Sequence, residues 1–317
     1  MIAGPQPEAI PGKPQAIARA LRRLRGPRTL TAHLFLHYVS PKSTRSQVRK
    51  GRKLARRYHR HGFPTEFVLA YRAAEAPDVR GYVRFVRRVT SRLGSEPGVE
   101  ALQVTNEANN IVAPDASDGS YEGAELALIR GVIAADKVTR RRGLRGLDLG
   151  FNWFYRVDPD NEDRFWSTLA AADPRFRRGL DWIGLDAYPG TFFPPATAPL
   201  GLAGDSGDWM LNALSTLRCF ATDASISPRV PIHVTENGWP TSPVRSPAQQ
   251  AQELREMVEA VRGHARNYNV TDYRWFSLRD SDSSQPDFQQ QFGLLRDDYT
   301  PKPAFGVYRD LIRRFGR

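Results

Sequence analysis

Pro231-Ile232-His233-Val234-Thr235-Glu236-Asn237-Gly238-Trp239-Pro240 is the stretch on which the fold turns. Pro231 to Thr235 is short, apolar and β-branched, and reads as a buried strand. A carboxylate, Glu236, stands where that strand ends, and Asn-Gly followed by Trp-Pro carries the chain into a loop. A carboxylate at a strand mouth is oriented before any ligand arrives, as a nucleophile or general acid requires. The same placement suits a loop-start Glu paired with an arginine, so this stretch alone leaves both readings open. A second stretch, Val99-Glu100-Ala101-Leu102-Gln103-Val104-Thr105-Asn106-Glu107-Ala108-Asn109-Asn110, has the same form. A short apolar strand again ends in a carboxylate, Glu107. Two such groups at two strand ends are what glycosidic cleavage needs: one protonates the leaving oxygen while the other attacks or activates water.

Outward from these two stretches, strand and helix patterns alternate. Helical spacing of apolar residues predicts helices over Pro14–Gly26, Ser46–His61, Gly81–Leu93, Tyr121–Arg141, Asn161–Ala172, Asp208–Thr222, Ser246–Tyr268 and Lys302–Arg314. Between them lie strand-like runs at Leu30–Val39, Thr65–Arg72, Gly98–Glu107, Leu147–Phe154, Leu180–Tyr188, Val230–Glu236 and Val270–Leu278. Strands that alternate with helices and are apolar on both faces predict a parallel sheet covered on both sides. The fold class expected is α/β, a (β/α)8 TIM barrel whose first strand is short or missing at the N-terminus. Seven strands are legible and only Met1–Gly4 is left for a stub of the eighth. Residues 1–13 are read as an N-terminal segment and 14–317 as a single catalytic domain, a length that accommodates such a barrel.

Composition narrows the class. No apolar run is long enough to span a bilayer, and Met1–Lys13 carries no apolar core of a leader peptide. Export with a leader absent from this sequence and residence in the cytoplasm both stay open. Cys219 is the one cysteine, which excludes a disulfide frame and a cysteine-based metal site; inside a helix, it is expected to be a small buried residue. The net charge of +12 rests largely on arginine clusters at Arg19–Arg28, Arg45–Arg60, Arg84–Arg92 and Lys137–Arg145. Each falls in a segment of helical spacing, so the clusters read as solvated outer helix faces, with anionic partners as the alternative. The scattered Asp and His show no metal-ligand spacing, so neither a metal nor a cofactor is expected. A monomer is expected.

The motifs resemble those of the clan A retaining glycoside hydrolases, (β/α)8 enzymes with catalytic Glu on strands 4 and 7. Thr105-Asn106-Glu107 resembles the Asn-Glu acid/base motif. Val234-Thr235-Glu236-Asn237-Gly238 resembles the nucleophile strand of family 1 β-glucosidases, and Glu236-x-Gly238-Trp239-Pro240 also resembles family 17 β-1,3-glucanases. Tyr273 to Asp280 resembles the strand 8 segment with its stacking Trp, and Phe292 to Ala304 the closing segment of several clan members. The chain departs from family 1 in being shorter and in having Ala108 where that family has Pro. If one strand is missing at the start, Glu107 falls on strand 4 and Glu236 on strand 7.

The resemblance implies double displacement on a β-glycosidic bond, with Glu236 as nucleophile, Glu107 as acid/base, and an oligo- or polysaccharide such as a β-glucan as substrate. It also implies carboxyl groups about 5–5.5 Å apart and the higher pKa on Glu107. Asn106 is then expected on the sugar 2-hydroxyl, Tyr188 and Arg72 beside Glu236, and Trp275 under a pyranose face. Asn152, Trp153 and His37 are placed near strand ends at the cleft, Asp280 and Asp282 along it, with Asp186 left open and His233 on the opposite side of its strand. Two alternatives stand: a catalytically inactive carbohydrate-binding barrel and, against the strand-end Glu pair, a basic nucleic-acid-binding protein.

Overall fold

The computed structural model describes residues 12–73, 75–114, 116–155, 158–192 and 204–316. Among these, seven strands form one sheet in the order β1 (Ala32–Tyr38), β2 (Thr65–Tyr71), β3 (Val99–Val104), β4 (Asp148–Phe154), β5 (Trp182–Asp186), β6 (Ile232–Glu236) and β7 (Val270–Tyr273). The pairs from β1 to β5 are parallel, with Ala32 opposite Thr65 and Gly150 opposite Trp182. Strands joined in sequence order by helical crossovers make this a TIM-barrel fold. Every residue of β2 and of β5 is buried, as strands covered on both faces require.

The chain divides into two compact units. The larger comprises 32–186 and 216–233 and holds β1 to β5. Its helices are α2 (Thr44–Arg60), α3 (Val79–Leu93), α4 (Ala124–Arg142), α5 (Pro159–Ala170) and the short α6 (Pro174–Arg178). Asp78 caps α3 by accepting from the Gly81 N–H, and Gly143 ends α4 in the left-handed region at φ 64°. Helices α3 and α4 pack side by side, burying Phe85, Val86, Val89, Leu128 and Val132. Their arginines lie on the exposed side, where the sequence places them.

The second unit comprises 12–31, 187–192, 204–215 and 234–316 of the described chain. It holds α1 (Pro14–Arg25), α8 (Pro247–Tyr268) and α9 (Pro303–Phe315), with α9 packed on both α1 and α8. A capping box at Ser246 and Gln249 starts α8. Helix α7 (Ser206–Asp223) runs from this unit into the other.

Three expectations change. The run Val270–Leu278 keeps strand geometry only to Tyr273; beyond it, Leu278 and Asp280 pair with Leu295 through backbone hydrogen bonds. Helix α6 lies where no element is predicted. Cys219 is exposed, because it occupies the outward side of α7. The stub at Met1–Gly4 lies outside the described residues, as does most of the loop from Phe192 to Ser206. No helix of the described residues is long and apolar enough to cross a membrane.

Candidate active site

The Glu107 half of the candidate site belongs to the larger unit. Beyond β3 the chain enters Thr105 at φ 65° and Glu107 at φ 46°, a left-handed backbone that costs a residue with a Cβ on the order of 1 kcal/mol or more. Three consecutive amides hold it there. The Thr105 N–H donates to the Tyr82 hydroxyl (3.0 Å), that of Asn106 to Asp118 Oδ2 (2.7 Å), and that of Glu107 to Asn152 Oδ1 (2.8 Å). Glu107 is 5% exposed, and its carboxylate accepts from Asn110 Nδ2 at 2.9 Å.

Asn152, on β4, ties this turn to its neighbours. Its amide donates to Asn106 Oδ1 (3.1 Å) and to the buried Asp186 at the end of β5. Asp186 brings a carboxylate oxygen within 4.8 Å of one on Glu107. Asn106 donates one amide hydrogen to the Ala116 carbonyl at 3.0 Å. Trp153, next to Asn152, points the other way: its indole N–H donates to Glu162, and its ring packs on Trp166 and Phe220.

Asp118 anchors the loop that follows. It is fully buried, accepts from the backbone N–H groups of Tyr71 (2.6 Å) and Asn106 (2.7 Å), and pairs with Arg72 at 3.2 Å. Burial pushes its carboxyl up to about 7, against the pull of Arg72 and of both N–H donors. Arg72 also donates to the carbonyls of Pro114, Ala116 and Ser117 and lies over the Tyr121 ring. The Arg72 guanidinium is thus engaged by Asp118 and by the loop after Glu107. His37 is half-buried at the end of β1. Burial, with Arg72 and Lys50 nearby, lowers its pKa to about 4, so it is a neutral imidazole at pH 7.

The Glu236 half belongs to the second unit. Glu236 ends β6, and its backbone carbonyl accepts from the Ala187 N–H at 3.0 Å. Asn237 fixes the turn that follows, because its amide donates to the Ala187 carbonyl (2.7 Å) while its Oδ1 accepts from the Tyr273 hydroxyl. Gly238 is required by close approach: a Cβ there would lie 2.4 Å from the Phe276 carbonyl oxygen. The Glu236 carboxylate accepts from the Tyr188 hydroxyl at 2.5 Å. Burial pushes its pKa up to about 7, while the Tyr188 hydrogen bond and the Arg274 charge pull it down. Glu236 therefore carries an upward shift of its own. Burial outweighs the hydroxyl and the cation that favour the charged form.

Tyr188 is held in an aromatic cluster with Phe192, Phe276 and Phe292, at ring-centroid distances of 5.3, 6.3 and 5.8 Å. Trp275, expected as the sugar platform, is fully buried, with no hydrogen-bond partner for its indole N–H among the described residues. The half-buried Phe276 is the ring that packs against Tyr188. Asp280 is buried against Lys302 at 2.8 Å, Asp282 caps the turn at Ser284, and the half-buried His233 stacks on Trp182.

The sequence reading did not single out Arg274, Asp118 or Asn110. Arg274 stood within a quoted motif, and its place one residue before the aromatic pair was the available signal. Asn110 lies three residues past Glu107, the spacing of a turn that folds back on its own carboxylate.

No protein-family model matches the chain, and no curated protein matches it in sequence. Solved structures do match in fold. A glycoside hydrolase of the GH5_18 group from Bifidobacterium longum subsp. infantis is 17% identical with a TM-score of 0.68, over 96% of this chain and 74% of that one. A β-glucosidase is 16% identical at a TM-score of 0.66, over 98% and 92%. A fungal β-1,4-galactanase is 13% identical at 0.64, over 94% and 91%. The similar folds are thus TIM-barrel glycoside hydrolases.

Proposed function

We propose that this protein is a retaining glycoside hydrolase that cleaves β-glycosidic bonds by double displacement, with residues 14–317 acting as one catalytic domain and as a monomer. In this reading Glu236 attacks the anomeric carbon, and Glu107 protonates the departing oxygen and then deprotonates the incoming water. The observation that carries it is the setting of Glu236. A deeply buried carboxylate at a strand end receives a hydroxyl hydrogen bond from Tyr188 and faces the charge of Arg274. Both favour the ionised form that a nucleophile needs, inside an enclosure that otherwise opposes it. The Glu107 backbone, held in an unfavourable conformation by three anchored amides, supports a second carboxylate of fixed aim.

The substrate class is a β-glucan or related polysaccharide, in keeping with the neighbours whose names record β-glucosidase and β-galactanase activities. Asn106 retains one amide hydrogen for a sugar hydroxyl. The aromatic surface for a pyranose is assigned to Phe276 rather than Trp275, since Trp275 is fully buried and Phe276 only half-buried.

Trapping tests the reading. Incubation with a panel of 2-deoxy-2-fluoro aryl β-glycosides is expected to stop turnover with one covalent label per chain, and peptide mapping to place it on Glu236. Release of the α-anomer first, seen by proton NMR on a cleaved substrate, or a label on any other residue, would remove the assignment. No turnover of any glycoside in the panel would favour the binding-protein alternative.

A further inference from the structure

We infer that the surface over α3 and α4, on the larger unit, is a binding trough for an anionic polysaccharide, separate from the carboxylate sites. Two hollows of about 640 and 650 Å³ lie along these helices. The first is lined by Arg84, Arg87, Arg88, Arg92, Arg141 and Arg142, with no acidic residue in its wall. Arg84 and Arg87 also border the second, whose floor is aliphatic, with Leu126, Ile129 and Ile133. A third hollow of about 390 Å³ shares Arg141 with the first and Arg175 with the second. The three hollows thus adjoin through shared basic residues along the surface of these helices.

Few of these cations are neutralised locally, although the Arg84 charge acts on the Asp78 carboxyl at the start of α3. Asp136 is taken by Arg140 and Asp173 by Arg175. Among the described residues, none of the six arginines of the first hollow pairs with a carboxylate, and all six are exposed. Six guanidinium groups side by side repel one another in the empty protein. A solvated helix face with mixed charges would avoid that cost; this one does not. Arg84, Arg88 and Arg92 recur at one per helical turn, about 6 Å apart, comparable to the rise of one sugar in an extended chain. Guanidinium forks match carboxylate and sulfate groups in pairs.

Carbohydrate is favoured over nucleic acid by what lines the trough. No aromatic side chain borders any of the three hollows, so there is no platform on which bases of a single strand could stack. A concave trough also offers no projecting element to enter a duplex groove.

The test uses the full chain and three probes: polygalacturonate, neutral dextran, and a single-stranded DNA oligonucleotide of matched charge. One triple variant carries Arg84→Glu, Arg88→Glu and Arg141→Glu. A control triple carries Arg19→Glu, Arg45→Glu and Arg49→Glu, with the same change in net charge away from the trough. The expected result is polygalacturonate binding that weakens with added salt, no binding to dextran, and weaker binding to DNA. Affinity for polygalacturonate should fall at least about tenfold in the trough triple and under about threefold in the control. Arg88→Ala/Arg141→Ala, a milder pair, should fall by about threefold with an unchanged thermal midpoint and thus reads the site if the triple misfolds. Equal losses in both triples would reduce the effect to net charge and overturn the proposal. So would tighter binding to DNA than to polygalacturonate, or no binding to polygalacturonate by the unmodified protein.

Discussion

Glu107 and Glu236 arise from stretches of the same local form, yet different side chains meet them. Around Glu107 the Asn110 amide donates to the carboxylate, the Asn152 amide oxygen accepts from the backbone N–H, and an Asp186 carboxyl oxygen lies within 4.8 Å. Around Glu236 two neighbours favour ionisation, the Tyr188 hydroxyl by direct contact and Arg274 by its charge. At Glu236 the hydroxyl and the cation thus act against burial, which still holds its pKa at about 7. The difference lies in what the rest of the chain brings to each strand end, not in the strand ends themselves.

This contrast breaks most visibly if Glu236 is replaced. Glu236→Ala is expected to lower kcat by roughly four orders of magnitude or more on any accepted substrate, with partial rescue by azide to a product of opposite anomeric configuration. Retention of more than a few per cent of the activity would sink the nucleophile assignment. Glu107→Ala should cost about two to four orders of magnitude on substrates with poor leaving groups and far less on activated aryl glycosides, which need no proton. A loss independent of the leaving group would show that Glu107 is not the acid. Tyr188→Phe removes one hydrogen bond to the charged form of Glu236. A loss in kcat of about tenfold to a hundredfold is expected, with the acidic limb of the kcat/KM profile displaced upward in pH; a profile that stays in place would leave Tyr188 a packing role only.

The smallest effect sharpens the comparison through stability. Glu236 titrates near 7 in the folded chain against 4.5 as its ordinary value, so the folded state holds the proton more tightly. The associated stability is fully present below about pH 4.5 and is lost as the pH rises through about 7. Glu236→Gln removes this dependence. The variant should gain on the unmodified protein between those values, by an order of 3 kcal/mol at about 1.4 kcal/mol per pH unit, and the gap should be level above pH 8. Denaturant melts at pH 5, 7 and 8 measure it, and a constant gap would show that Glu236 is not held near 7.

Most of the fold was legible because strand and helix periodicities are local. Helix α8 starts at Pro247, one residue past the expected start at Ser246, and β6 ends on Glu236 as read. Tyr188 was legible as a strand-end residue, and its hydrogen bond to Glu236 follows that reading. Arg72 was legible as a strand-end cation, but not its partner, because Asp118 lies far along the chain in a loop with no periodicity. The Trp275 and Phe276 pair shows the limit most clearly. Two rings stand side by side in the chain, and only the neighbours, here Tyr188 and Phe292, decide which of them is the more buried.

The sequence by itself determined the parallel β/α order, the two strand-end carboxylates and the arginine-rich outer helices. These depend on contacts within a few residues and on residue type. Tertiary structure alone decided which charges meet which. It gave Arg72 to Asp118, Arg274 to Glu236 and the raised pKa to Glu236, and it gathered the arginines of α3 and α4 into one concavity. Electrostatic energy depends on distance through space and on burial, and neither is written in the order of residues along a chain.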